Sequence, residues 1–342
     1  ALPISLREEV TRLTQELETL RRVTDSTLSS LGAALEQTEQ RAQRAERDAL
    51  QARQAAQLNE QQAGDLARLD RDLDADRIRR HVREAIERAP LALEPFPHVV
   101  VESLLPDNTY QLLLRAVPPP SFFNQRDPIK QNCGLPLDFA PALSLRVWAF
   151  VQEAVALGTI CPAVRTRFSA PLLDHLARTF GPQHAAAVAA LPQSTSGSRL
   201  MLRRPGYTLA PHRDPKRTLF TCLMYLAKPG DNPDYGTDIY AVDDDAEAPY
   251  TETYYPQQEG HRCTHVRTVP FRPNSMLIFL NSVGAHGAQI PTDAPAATER
   301  LSWQFYIGPD TKQLQAVVDQ LPDALRARWR PKRERHTAGA AR

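Results

Sequence analysis

The placement of proline limits how this chain can fold more than any other feature. After Pro3 none occurs until Pro90, and the stretch between is built mainly from Ala, Glu, Gln, Arg and Leu. From Pro90 onward the sequence fills with proline, aromatic and β-branched residues. Proline lacks an amide proton and clashes with the preceding helical turn, so its absence permits a long helix and its recurrence forbids one. The chain is therefore expected to divide into a helical segment (1–89), a second domain (90–310) and a C-terminal helix with a basic tail (311–342). The part after Pro90, about 250 residues, can bury a sizeable core.

Within the first segment Leu6, Val10, Leu13, Leu17 and Leu20 alternate in steps of four and three, the spacing of a coiled-coil seam. The seam continues through Thr24, Leu28, Leu31, Leu35 and Thr38 after a four-residue stutter, then turns alanine-rich from Ala42 to Ala63 before Leu66 and Leu73. Ser29-Ser30-Leu31-Gly32 and Gly64 are candidate breaks, so one rod and a folded-back hairpin both fit. An isolated helix is marginal without a packing partner, and self-association into a homo-oligomer is the expected role.

The second domain reads as an entry strand (Pro97–Val101), a helix (Pro106–Val117), a rigid Pro118-Pro119-Pro120 run, and helices over Pro141–Leu157 and Pro171–Phe180. Strands are expected at Arg199–Arg203, Leu219–Leu226, Thr237–Val242, His265–Val269, Ser275–Leu280 and Leu301–Ile307, separated by turn residues. A helix over Gln313–Trp329 and a solvated basic run, Arg328–Arg335, close the chain. Short strands after a block of helices indicate an α+β fold with a jelly-roll core buttressed by helices, preceded by the coiled-coil segment.

The net charge of +1 gives no general attraction for nucleic acid or a membrane surface. Cys133, Cys161, Cys222 and Cys263 lack CxxC spacing and read as reduced thiols of a cytoplasmic protein. No run reaches the roughly 18 apolar residues of a membrane span, and the N-terminus lacks the apolar core of a signal peptide.

The chemistry concentrates in His212-Arg213-Asp214 and His286. At the end of a strand, positions i and i+2 point to one face, so His212 and Asp214 can ligate one ion. With His286, just past the apolar strand Met276–Leu280, they make up two imidazoles and a carboxylate, the set that holds Fe(II) on one face and leaves the others open. Arg300, with Ser302 two residues on, suits the far carboxylate of a dicarboxylic cosubstrate. His261, Cys263 and His265 lack partners at structural-zinc spacing and are read as strand residues. Asp243-Asp244-Asp245 with Glu247 is read as an acidic turn.

In this order, residues from roughly Glu94 to Pro309 resemble the Fe(II)/2-oxoglutarate-dependent dioxygenases, particularly their prolyl-hydroxylase-like branch. The matching positions are His212 and Asp214, the strand ending Tyr225-Leu226, Gly236–Tyr240, His286 and Arg300, with Pro205-Gly206-Tyr207 leading in. The resemblance implies a double-stranded β-helix core, Fe(II), 2-oxoglutarate and O2, with succinate and CO2 released. It implies His212, Asp214 and His286 as iron ligands and Arg300 on the cosubstrate's distal carboxylate. Ser302 and Tyr225 would be hydrogen-bond donors, and Tyr207 would form a wall of the site. The loop Gln289–Glu299 is longer than in close prolyl-hydroxylase relatives. Related halogenases lack the carboxylate, so Asp214 points to hydroxylation.

A small-molecule or glycan-type substrate is the first expectation, and a protein side chain of the prolyl type the alternative. A non-catalytic coiled-coil protein with a retired barrel is the rival class. Specificity would come from Ser121–Leu135, Asp231–Tyr235 and Ala246–Gly260, the last carrying Tyr250, Tyr254 and Tyr255. Arg203, Arg204, Arg213 and Lys216 near the site would favour an anionic substrate.

Overall fold

A computed structural model describes residues 4–124, 127–244 and 252–329. The chain forms two compact units, Ala1–Ala56 and a larger one beginning at Gln57.

The described residues of the first unit belong to helix α1 (Ile4–Gln61), which runs unbroken through Ser29–Gly32. A lone glycine costs a helix only about 1 kcal/mol. The hydroxyls of Thr11, Thr14, Thr24 and Ser30 donate to carbonyls four residues back, which satisfies them inside the helix. A hairpin turning at Ser29–Gly32 is thereby excluded. The seam residues are exposed, Leu17 at 67% and Leu20 at 63%.

Gly64 lies inside helix α2 (Ala63–Asp72), and the chain turns at Gln62 instead. Helix α3 (Ala75–Arg88) follows, capped by Asp74, whose carboxylate accepts from the Arg77 amide. Leu69 of α2 and Ile78, Val82, Ala85 and Ile86 of α3 are buried in the core of the second unit. The division therefore falls at Ala56–Gln57, well before the compositional change at Ala89. Composition misplaces it because amphipathic core helices and solvated ones draw on the same residues.

The second unit is α+β, with two antiparallel sheets. In chain order the strands are β1 (Leu91–Ala92), β2 (His98–Val101), β3 (Lys130–Gly134), β4 (Gln193–Arg203), β5 (Thr208–His212), β6 (Phe220–Tyr225), β7 (Thr237–Val242), β8 (Cys263–Val269), β9 (Ser275–Leu280), β10 (Ala285–Gln289) and β11 (Arg300–Pro309). One sheet runs β1-β2-β9-β6-β11-β4-β3 and the other β5-β10-β7-β8.

Strand periodicity sorts the core into two layers. Phe220, Cys222 and Met224 of β6, Met276, Ile278 and Leu280 of β9, and Leu301, Trp303, Phe305 and Ile307 of β11 pack in the cluster that contains the helices. The alternate residues Leu223, Tyr225, Leu277 and Phe279 join Ile239 and Val269 of the smaller sheet in a second cluster. The helices on the first face include α4 (Asp107–Arg115), α5 (Ala142–Phe150), α6 (Cys161–Arg167), α7 (Ser169–Phe180) and α8 (Pro182–Ala190).

A π-helical stretch, Val151–Ile160, fuses α5 and α6 into one helix of 26 residues, long and apolar enough to cross a membrane. The sequence reading missed it because Arg146, Gln152 and Glu153 interrupt the apolar run. Its Leu143, Val147, Trp148, Val151, Val155, Ile160 and Val164 are buried in the main core, which makes it a core helix. The expected single helix Gln313–Trp329 is split into α9 (Thr311–Val318) and α10 (Asp323–Arg326), since Pro322 cannot continue a helix. The basic run beyond Trp329, and Asp245, Glu247 and Tyr250, lie outside the described residues.

Candidate metal centre

His212 ends β5 and stands directly opposite His286 of β10 in the antiparallel register. Cross-strand partners share a face, so the two imidazoles meet with ring centroids 4.2 Å apart. Asp214, two residues beyond His212, brings Oδ1 to 3.7 Å from His212 Nε2 and Oδ2 to 3.6 Å from His286 Nε2. All three side chains are buried, and their ligand atoms lie within 4.8 Å of one another. Among the described residues this is the one cluster of such groups.

His286, expected just past the apolar strand Met276–Leu280 and in none of the expected strands, sits inside β10, between β5 and β7. The glycines of Gly284-Ala285-His286-Gly287 serve close packing. A Cβ on Gly287 would meet the Leu209 carbonyl oxygen at 2.7 Å, and Gly284 has φ +77° with Phe96 against it. Only glycine lets the strands approach at these points.

The surroundings prepare three ligands. His212 Nδ1 bonds the Ala210 carbonyl at 3.0 Å, which places its proton there and leaves Nε2 free to coordinate. Burial, with His212 beside it, drives the His286 pKa down to about 3, so this imidazole is neutral at ordinary pH. Burial opposes ionisation of Asp214, but His286, His212 and the Thr221 hydroxyl outweigh it and hold the carboxyl below its usual range. Thr221 donates to Asp214 Oδ2 at 2.6 Å, and the Tyr306 hydroxyl lies 3.4 Å from Oδ1. An ionised carboxylate and two imidazole nitrogens suit a divalent first-row metal. Separations of 3.6–3.7 Å need little contraction to reach the roughly 3 Å spacing that ~2.1 Å bonds impose. The residues fit a metal.

The triad forms one wall of a cavity of about 300 Å³. Arg300, the first residue of β11, also lines it and is 3% exposed. Its Nε donates to the Tyr235 carbonyl at 2.6 Å, and Nη2 to the Gly236 carbonyl and Thr237 Oγ1, both at 3.1 Å. Its guanidinium lies over the rings of Tyr225 and Phe271 at 5.5 and 5.7 Å. Among the described residues no carboxylate pairs with it, so a buried cation borders the cavity with neutral partners. Such a charge favours an anionic ligand.

The other expected residues divide. Tyr207 lines the cavity, with the Arg203 guanidinium 5.0 Å from its ring centroid. Tyr225 is fully buried beneath Arg300, and its hydroxyl donates to Thr237 Oγ1 at 2.8 Å. Ser302, opposite Tyr225 in register, is fully buried with its Oγ unpartnered. Both stand behind the cavity-lining residues. Of the four cations expected near the site, only Arg203 lines the cavity. Arg204 pairs with Glu299 at 3.0 Å, Arg213 donates to the Gly284 carbonyl, and Lys216 lies over the Trp329 ring. Sequence proximity fails here because successive residues alternate faces.

Of the expected specificity segments, Lys130 and Asn132 line the cavity from a strand, β3, rather than a loop, and Thr253 and Tyr255 from the third segment. The Tyr255 ring stacks on His212 with centroids 5.6 Å apart, whereas Tyr254 packs against Arg213. The sequence reading missed Thr221, Thr237, Arg199, Gln304 and Tyr306. The signal for the last two was present: Arg300, Ser302, Gln304 and Tyr306 alternate with four apolar residues along β11.

No protein-family model matches the chain, and no curated protein matches it. The solved structures that it resembles are 2-oxoglutarate- and Fe(II)-dependent oxygenases. A Pseudomonas putida prolyl-4-hydroxylase matches at 14% identity, covering 67% of this chain and 99% of that one, with a TM-score of 0.39. A Burkholderia pseudomallei oxidoreductase of the 2OG-Fe(II) oxygenase family matches at 10% identity over 62% of this chain and 84% of that one, with a TM-score of 0.34. HygX from Streptomyces hygroscopicus, solved with nickel and 2-oxoglutarate bound, matches at 14% identity over 63% and 83%, with a TM-score of 0.32.

Proposed function

We propose that the chain is an Fe(II)- and 2-oxoglutarate-dependent oxygenase that hydroxylates a small-molecule or glycan-type substrate. The observation that carries this reading is one cavity holding both the His212–Asp214–His286 cluster and the unpaired Arg300. On this reading the two sheets are the halves of a double-stranded β-helix. His212, Asp214 and His286 would hold the metal at the wall of the cavity. Bound iron, with 2-oxoglutarate and O2, supplies the conversion of a C–H bond to C–OH with release of succinate and CO2.

The chain's own residues do the positioning. Thr221 and Tyr306 hold the Asp214 carboxylate in place, and the His212 Nδ1–Ala210 bond fixes that imidazole. Arg300, supported by Thr237 and the Tyr225 ring, takes the distal carboxylate of 2-oxoglutarate. Tyr207 and Tyr255 wall the cavity and limit water. The exposed seam of α1 pairs with a second copy of the chain as a coiled coil. Four free thiols suit a reducing, cytoplasmic compartment.

Succinate release from 2-oxoglutarate with Fe(II), ascorbate and O2 is the test. It is expected in the wild type and lost in His212→Ala and Asp214→Ala. Release that persists undiminished in both variants contradicts the proposal.

A further inference from the structure

The cavity carries more positive charge than metal and cosubstrate can use. Lys130, Arg203 and Arg300 are direct cross-strand partners on β3, β4 and β11, so three cations stand side by side on one face. Four residues back along β4, Arg199 faces Gln304 and also lines the cavity. Like charges opposite one another destabilise a sheet, so the row needs an anion to neutralise it. Among the described residues none of the four cations has a carboxylate ion-pair partner.

Their partners are neutral. Arg199 Nη2 donates to Gln304 Oε1 and lies 3.3 Å from the Tyr306 hydroxyl. Arg203 spends its terminal nitrogens on the Gln131 and Leu202 carbonyls and Asn132 Oδ1, while its Nε has no partner although the side chain is 3% exposed. Among the described residues the sole acid lining the cavity is Asp214, which the triad uses. A divalent metal and doubly charged 2-oxoglutarate cancel, so four cations against one carboxylate leave the occupied cavity strongly positive. With Arg300 assigned to the cosubstrate, Arg199, Arg203 and Lys130 remain uncompensated.

Their placement separates the roles. Tyr306 contacts both Arg199 and Asp214, which puts Arg199 at the metal end of the cavity. Lys130 is exposed at the rim. We propose that Arg199, with Arg203 behind it, binds an anionic group of the substrate, a carboxylate or a phosphate, and that Lys130 draws the anion in from the rim. The substrate is then an anionic small molecule, held by that group with its reacting carbon toward the metal. This rests on the oxygenase reading above and narrows it.

The test is calorimetric titration of protein loaded with Mn(II) and saturating 2-oxoglutarate, so that Arg300 is already engaged. Inorganic phosphate and acetate are the probes, with methanol as the neutral control. One or both anions should bind and methanol should not, and the better anion identifies the group. Arg199→Gln should weaken that binding at least about tenfold, the loss of one charge-assisted hydrogen bond, with Arg199→Lys partly restoring it, and Lys130→Gln should weaken it about threefold through lost attraction at the rim. Lys130→Gln, at an exposed position, keeps the test decisive if Arg199→Gln does not fold. Anion binding that is absent, or unchanged in the variants, overturns the inference. Failure of 2-oxoglutarate itself to bind overturns the oxygenase reading instead.

Discussion

The two faces of β11 are almost equally buried and do opposite jobs. Leu301, Trp303, Phe305 and Ile307 face the helices, and Trp303 packs edge-on to Trp148 of α5 with centroids 5.7 Å apart. Arg300, Ser302, Gln304 and Tyr306, one residue out of phase, face the cavity or stand just behind it. One face is satisfied by packing, whereas the other keeps a guanidinium with no carboxylate partner among the described residues and an orphaned hydroxyl. The strand therefore separates stability from chemistry by parity, and burial alone does not distinguish the two.

The largest expected effect tests the helix face. Trp303→Ala should cost about 3–5 kcal/mol of unfolding free energy, read from urea denaturation, because it leaves a large void in a close-packed layer. Arg300→Gln should break the comparison from the other side. It should weaken 2-oxoglutarate binding by about 2–4 kcal/mol, some 30- to 1,000-fold, while leaving the urea midpoint unchanged or raised, since it removes an unpaired buried cation. A midpoint that falls as far as that of Trp303→Ala would show that Arg300 holds the fold rather than a ligand.

Protonation sharpens the same contrast. His175 of α7 and His286 of β10 are both held near pKa 3 by burial, below the ordinary 6.5. The unfolded chain thus binds more protons than the native state between these values. This contribution to stability is complete above pH 6.5 and is lost as pH falls toward about 3, at up to about 1.4 kcal/mol per unit for each imidazole. Urea midpoints measured across this range should fall, and His175→Gln should flatten the decline without altering metal affinity. Saturating Mn(II), binding an imidazole already neutral over most of this range, should raise the midpoints without flattening the decline.

The smallest expected effect on the second unit comes from α1. Leu20→Lys should shift sedimentation toward the monomer while leaving Mn(II) affinity within about twofold, as expected for an exposed position distant in sequence from the site.

Much of this was legible in the sequence, for identifiable reasons. Thr237–Val242 and Ser275–Leu280 are strands over the expected residues, because β-branched and aromatic runs flanked by turn residues signal strands well. His212 and Asp214 were legible because a two-residue spacing at a strand end makes a geometric statement. His286 was legible as a ligand candidate but not as a strand residue, since glycines chosen for close approach imitate a loop. Arg213 and Lys216 misled because nearness in sequence says nothing about facing. Arg199 was illegible as a site residue, and Lys130 was covered only by the expected segment Ser121–Leu135. Their role depends on which strands lie beside β11, and that order is set by long-range pairing.

The central claim is that the His212–Asp214–His286 cluster and Arg300 form one metal and 2-oxoglutarate site. Anaerobic absorption of the protein with Fe(II) and 2-oxoglutarate tests it most directly, because a metal-to-ligand charge-transfer band arises only when the cosubstrate coordinates the bound iron. The band should appear in the wild type, vanish in His212→Ala, and require much higher 2-oxoglutarate in Arg300→Gln. A band that is absent from the wild type, or unchanged in His212→Ala, would contradict the account.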